Sequence, residues 1–397
     1  MKNIDNIDNL RKITHEMREW RQHLHQYPET AFEENNTSLF LSNKLKSFGL
    51  DNIHQGLAKT GVVAVMKVGT SKKSIGLRAD IDALDIMEEN TFSYKSKING
   101  KMHACGHDGH TAMLLGAAKY LKETKNFDGT VYFIFQPAEE IKGGGKKMIE
   151  DGLFNLFPAD SVYAMHNIPN MPAGHIAVKP GPMMASMDNF EIKLFGTGGH
   201  AAMPKPESDI ISAAAKLINR INAIIKDEFN ESDPVILSFT NIHAGNSWNI
   251  FPEQLAVRGT LRCFNTEYRN KIINKYLPDI TNTIANDLGL KINITLNPEN
   301  PGYPVTFNTE RETLTAQEVA IKTVGKENVN INPDPWTASE DFGLMLQQKP
   351  GCYLWIGNGP PINGGVLHNC RYNFNDDILP IGAAFWVNLV EHVLKKG

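Results

Sequence analysis

"SIGLRADIDAL", residues 74–84, decides the fold class. It opens as a short apolar run of the kind that is buried in a sheet and closes on acids. Two further runs have the same form: "TVYFIFQPAEE" (130–140) ends in two glutamates and "SVYAMHN" (161–167) ends on His166. Helical segments alternate with these runs, and the charged groups gather at one edge. In open α/β sheets ligands bind beyond the carboxyl ends of the strands, so function is to be sought at these terminal residues. A later run, "GCYLWIGN" (351–358), precedes "GGVLHNC" (364–370) and is expected to return to the same sheet.

The pattern changes character near residue 185. "MDNFEIKLFG" alternates Phe190, Ile192 and Leu194 as one face of a strand does, and "SDIISAAAKLINRINAIIK" follows with apolar residues at helical spacing. "PVILSFTNIHAG" and "EQLAVRGTLRCF" again have period two. A second helix, "TEYRNKIINKYLPDITNTIANDLG", carries Ile272, Ile273, Tyr276, Leu277, Ile280 and Ile284, and "KINITLNP" closes the series. The order β-α-β-β-α-β is the ferredoxin-like split βαβ arrangement, a self-contained unit over 187–296 whose sheet leaves an edge or a helical face for pairing between subunits. The expected architecture is therefore α/β with two domains. A first domain with a central mixed sheet spans 1–186 and 297–397, interrupted by the inserted unit.

Two domains also suit a chain of 397 residues. With 41% hydrophobic and 21% charged residues and a formal net charge of −4, composition argues against disorder and against a basic nucleic-acid surface. The start, "MKNIDNIDNLRKITHEMREW", is too polar for a signal peptide, and no apolar run of about 18 residues is present to span a membrane. Cytoplasmic placement is expected. The four cysteines, Cys105, Cys263, Cys352 and Cys370, lie far apart, which argues against a disulfide framework.

Chemistry concentrates in "KMHACGHDGH" (101–110). Its residue types serve equally as metal ligands, as a Cys/His nucleophilic pair, or as hydrogen-bonded loop residues. Cys105 and His107 flank a glycine, so both side chains can turn toward one centre, and "TAMLLGAAKYL" continues as a helix. Glu139 and Glu140 are adjacent, and successive residues of an extended segment point to opposite sides. One of the pair can bind a metal while the other faces the substrate. Gly143 to Gly145 and Gly198 with Gly199 read as backbone turns; the first run lacks the spacing of a phosphate-binding loop.

"LRADIDAL", "MHACGHDGHTAMLLGAA", "FQPAEE", "MHN", "GTGGHAAMP", "NIFPEQ", "GTLR", "SEDF" and "LHN…YNFND" occur in the order seen in the di-metal aminoacylase and carboxypeptidase family, and "WRQHLHQYPETAFEE" (20–34) also fits. The chain resembles most its amidohydrolase branch, with hippurate hydrolases, N-acyl-amino-acid deacylases and auxin-conjugate hydrolases, over nearly its whole length. The resemblance implies two divalent metals and an inserted domain that dimerises. Position by position it places metal ligands at Cys105, His107, Glu140, His166 and His368, and at Asp80 an aspartate that positions the centre. Arg78 stands where other branches have a histidine ligand, so the metal set differs from theirs. His103 and His110 carry no assigned role, and Asp85 replaces a frequent proline. Thiolate, imidazole and carboxylate together suit zinc, manganese, cobalt or nickel better than calcium or magnesium, with zinc or manganese expected.

The same resemblance implies that Glu139 is the general base and acid of amide hydrolysis. His200 would be the donor to the acyl oxygen, reaching the site of the opposite subunit. Asn249 and Arg262 match positions that hold a substrate carboxylate, which the planar fork of arginine suits. The expected reaction is hydrolysis of N-acyl amino acids to a carboxylic acid and a free amino acid. A dipeptidase or carboxypeptidase is the competing reading within hydrolases. A catalytically silent dimeric metal-binding scaffold is the alternative from a different class, and a cysteine hydrolase using Cys105 is a third possibility.

Overall fold

The computed structural model describes residues 6–229, 234–361 and 364–397; residues 1–5 of the polar N-terminal stretch lie outside that description. The chain divides into two compact units. The first comprises Met1–Met183, Phe307–Asp334 and Asp341–Gly397, and the second Met184–Thr306 and Pro335–Glu340.

The first unit is a mixed α/β structure built on an eight-stranded sheet. Its strands run in the order Ile53–Leu57, Gly61–Val68, Gly129–Gln136, Ser74–Asp80, Ser161–Pro169, Gly351–Gly359, Ile176–Ala177 and Val329–Asn330. The four from Gly129–Gln136 to Gly351–Gly359 are parallel to one another, so their carboxyl ends share an edge. "GCYLWIGN" accordingly joins this sheet beside Ser161–Pro169. Every residue of Ser74–Asp80 is buried, as expected of a parallel strand covered on both faces. Its cover includes the helix His107–Thr124, whose Met113, Leu114 and Ala117 lie in one apolar cluster with Met17, Phe385 and Trp386 of neighbouring helices. Register then aligns the chemistry. Asp80 is paired with Gln136, and because Arg78 is paired with Ala164, Asp80 stands level with His166 two residues on.

The second unit has a four-stranded antiparallel sheet in the order Val235–Ala244, Gln254–Cys263, Asp188–Phe195, Lys291–Leu296. The helix Ile210–Glu228 buries Ile210, Ala213, Ala214, Leu217 and Ile221, spaced by three and four, against Phe190, Ile192 and Leu194 of the central strand. Asp209 caps it by accepting from the Ser212 N–H at 3.1 Å. The second helical stretch starts at an Asn265 cap and widens into a π turn over Ile272–Tyr276 just before Pro278, a residue with no N–H to give. The unit reaches past residue 296 because Met187 and Tyr303 exchange backbone hydrogen bonds of 2.8 Å each way, and it takes in Pro335–Glu340 because the Ala185 N–H donates to the Trp336 carbonyl. Among the described residues no helix is long and apolar enough to cross a membrane.

Candidate active site

Gly106 is the pivot of the site. It sits at φ +98°, and a Cβ there would lie 2.1 Å from Asn167 Oδ1 and 2.6 Å from the Tyr372 hydroxyl, so only glycine fits. This turn starts the helix at His107 and leaves Cys105 and His107 on one side. Donor atoms of Cys105, His107 and His166 all lie within 4.8 Å of one another, as do those of Cys105, Glu140 and His368, and those of His107, Glu139 and Glu140. The structure thus gathers residues from two strand ends, a helix start and the 364–370 loop. His368, at φ +62°, is tied beside Cys105 by donation from its N–H to the Ala104 carbonyl at 2.8 Å.

The imidazoles are oriented by their backs. His166 Nδ1 donates to the Asn167 carbonyl at 2.7 Å, which turns Nε2 to Cys105 Sγ at 3.3 Å. His107 Nδ1 donates to the Asp82 carbonyl at 2.9 Å, which turns Nε2 toward Glu140 Oε1 at 3.8 Å and Asp80 Oδ2 at 3.7 Å. Both His107 Nε2 and Glu140 Oε1 are buried without a hydrogen-bond partner. Such a buried pair facing each other without hydrogen bonds is costly unless positive charge, a proton or a metal ion, offsets it. The residues therefore fit a divalent ion.

His110, by contrast, is engaged at both nitrogens, 2.6 Å from Asp80 Oδ1 and 2.7 Å from Asn167 Oδ1. Asp80 takes its other hydrogen bond from Arg78 at 2.7 Å. Arg78 is 1% exposed and also donates to Gln136 and Asp341, at 3.0 and 3.1 Å. Asp341 in turn accepts from the Gly145 N–H. Gly144 and Gly145 form the first turn of the helix Gly144–Glu150 rather than a turn of loop; a Cβ on Gly144 would strike the Pro137 carbonyl at 1.7 Å, and only Gly143, at φ +63°, needs the left-handed region. His103 is buried with neither ring nitrogen hydrogen-bonded, and burial pushes it down to about 4.

The electrostatics favour positive charge at this point. Burial and then the carboxylates of Glu140, Glu139 and Asp80 push the Cys105 thiol well above its usual range. Burial opposes a proton on His107, yet Asp80, Asp82 and Glu140 outweigh it and push the imidazole up to about 10. Burial and the neighbouring His110 hold His166 well below its usual value. A thiol so disfavoured as an anion is a poor nucleophile by itself, but a good ligand once a cation offsets the acids.

Asp82 and Asn167 were not singled out from sequence. Asp82 accepts from the Glu140 N–H at 3.0 Å and orients His107; its separation of two residues from Asp80 on an extended segment was the available signal. Asn167 closes the "MHN" motif, but its role was hidden because its partners His110 and Tyr372 meet it only in the folded chain. In the second unit His200 is exposed and its Nδ1 accepts from the Ala202 N–H at 3.1 Å. Asn249 adjoins it, its carbonyl accepting from the Ala201 N–H. Arg262 lies eight residues beyond Gln254 on the same strand, roughly 27 Å along it at about 3.4 Å per residue. It is half-buried and donates to Thr260 and the Leu261 carbonyl.

The family model described as Peptidase family M20/M25/M40 matches residues 76–392. The chain is 39% identical to a hippurate hydrolase of Campylobacter jejuni over 98% of its own length and 99% of that protein. It is 34% identical to an N-acetylcysteine deacetylase of Bacillus subtilis, over 94% and 96% respectively. Among solved structures it resembles the Bacillus subtilis YXEP protein, described as a dinuclear metal-binding peptidase of the M20 family, with a TM-score of 0.84, 31% identity and coverage of 98% and 99%.

Proposed function

The chain belongs to peptidase family M20/M25/M40, and on that footing we propose that it is a metal-dependent amidohydrolase that cleaves the amide bond of N-acyl amino acids, releasing a carboxylic acid and a free amino acid. The observation that carries the reading is the pair of buried, unsatisfied atoms His107 Nε2 and Glu140 Oε1, set among Cys105, His166 and His368 and beside a second acid, Glu139. The full-length likeness to a hippurate hydrolase and an N-acetylcysteine deacetylase directs it to N-acyl amino acids. Cys105, His107, Glu140, His166 and His368 would hold two divalent ions, with zinc or manganese the best match to a thiolate, imidazole and carboxylate set. Asp80, fixed by Arg78 and His110, braces the set. Four cysteines outside any disulfide accord with a reducing cytoplasm.

Ions bound there supply Lewis acidity, making water easier to deprotonate and the scissile carbonyl more electrophilic. Glu139 takes the proton of the attacking water and returns it to the departing nitrogen, without which the C–N bond re-forms. His200 donates to the acyl oxygen as charge develops on it. Asn249 and Arg262 bind the carboxylate of the amino-acid portion. Asn249 precedes the short strand Ile250–Phe251, whereas Arg262 stands near the far end of the separate strand Gln254–Cys263, eight residues past Gln254, which supports a site completed by a second copy. The strand order of the second unit supports reading it as a ferredoxin-like dimerisation domain. Its strand Val235–Ala244, an edge among the described residues, exposes the apolar Ile236 and Ile242 and is suited to a partner.

Exhaustive chelation is expected to abolish hydrolysis of acetyl- and benzoyl-amino acids, and zinc or manganese to restore it. Chelator-resistant turnover sinks the metal reading in favour of the Cys105 thiol. Faster cleavage of free dipeptides in the same screen would replace the acyl-amino-acid assignment by a dipeptidase.

Sharing of the site has its own test. His200→Ala and Glu139→Gln should each be nearly inactive alone. If His200 serves the partner's site, a mixed dimer has one site with both native groups, and activity returns on mixing to about a quarter of wild type for random pairing of equal amounts. No recovery despite demonstrated heterodimers removes the shared site.

A further inference from the structure

The segment that carries Glu139 is pinned on both sides by carboxylates. On one side Asp82 accepts from the Glu140 N–H at 3.0 Å. On the other, Glu34 accepts from the Ala138 N–H at 3.0 Å. Ala138 stands at φ +54°, a left-handed conformation disfavoured for an L side chain, so something outside the segment has to hold it there. Glu34 is 0% exposed, comes from the turn before the helix Asn35–Ser47, and takes its second hydrogen bond from the Thr60 hydroxyl at 2.6 Å. Positive φ also occurs at Phe32, two residues before Glu34, and at Ala58 and Lys59, just before Thr60, where Asp151 fixes the Ala58 N–H at 2.8 Å.

From this geometry we infer that Glu34 is a positioning residue for hydrolysis: by clamping the left-handed Ala138 it aims the Glu139 carboxylate. The inference rests on Glu139 being the proton-transferring group of the proposed function. A buried carboxyl with neutral donors is an expensive way to fill space. Burial and then the Asp82 charge push it up to about 7. Its two hydrogen bonds need shape and acceptor placement rather than charge. An amide at the same position reproduces both, with its oxygen accepting from the Ala138 N–H and its NH₂ donating to the Thr60 hydroxyl.

The test compares Glu34→Ala, Glu34→Gln and Glu139→Gln as full-length, metal-loaded proteins, with kcat, KM, metal content and unfolding midpoint measured for each. Glu34→Ala is expected to lose about 10- to 100-fold in kcat, the scale of a misplaced catalytic group, with KM and metal content unchanged. Glu34→Gln is expected to restore most of the rate. If Glu34→Ala does not fold, Glu34→Asp takes its place, since it keeps the carboxyl but falls one methylene short of Ala138. Unchanged kcat in either shortened variant, with Glu139→Gln inactive, overturns the inference. So does a Glu34→Gln protein that binds metal normally yet stays as slow as Glu34→Ala. Full activity in Glu139→Gln would instead remove the proposed base, a distinct failure.

Discussion

Glu139→Gln is expected to lose at least about 10²-fold in kcat, the lower end of what a positioned general base contributes, while binding metal as the wild type does. The substitution keeps the size of the side chain and removes only its ability to take a proton. Glu139 is 7% exposed, and the backbone on either side of it is held by Glu34 and Asp82, so an amide there should leave the segment in place. Glu140, the neighbour that faces His107 and His368, is untouched. Initial rates with acetyl- and benzoyl-amino acids, set against metal stoichiometry on the same samples, separate the two functions. Near-normal turnover would take Glu139 out of the mechanism.

Cys105→Ala is expected to fail differently, losing metal and activity together. Its sulfur belongs to two donor groups, with His107 and His166 on one side and Glu140 and His368 on the other, so one truncation weakens both. Among Glu140, Glu139 and Asp80 the thiolate exists only where a cation offsets their charge. Replacing outer-shell partners of a metal typically costs 10- to 100-fold in affinity, and loss of a donor atom itself should exceed about 10²-fold. Metal content after dialysis against a weak chelator reads this directly. An inactive Cys105→Ala protein that retained its metal would point to a nucleophilic cysteine, which the 3.3 Å approach of His166 Nε2 to Cys105 Sγ superficially resembles.

Much of this was legible in the chain itself. Period-two and helical spacing placed the strands and helices of the second unit, and short apolar runs placed four of the eight strands in the large sheet, since side-chain alternation and the 3.6-residue turn are local consequences of backbone geometry. The acids and histidine that end "SIGLRADIDAL", "TVYFIFQPAEE" and "SVYAMHN" had to meet at one edge once those strands ran parallel, and the register of Arg78 with Ala164 and of Asp80 with Gln136 brings them level. Gly106 between Cys105 and His107 already implied a turn that sets both on one side.

Tertiary structure alone decided which of these groups remain available. His107 and His110 are indistinguishable as letters in "CGHDGH", yet His110 is taken up by Asp80 and Asn167 while His107 keeps Nε2 unsatisfied. Asp82, Asn167 and Glu34 act on residues 25 to 104 positions away in the chain. Periodicity is written residue by residue, whereas the satisfaction of a buried polar atom depends on whichever distant segment folding places against it.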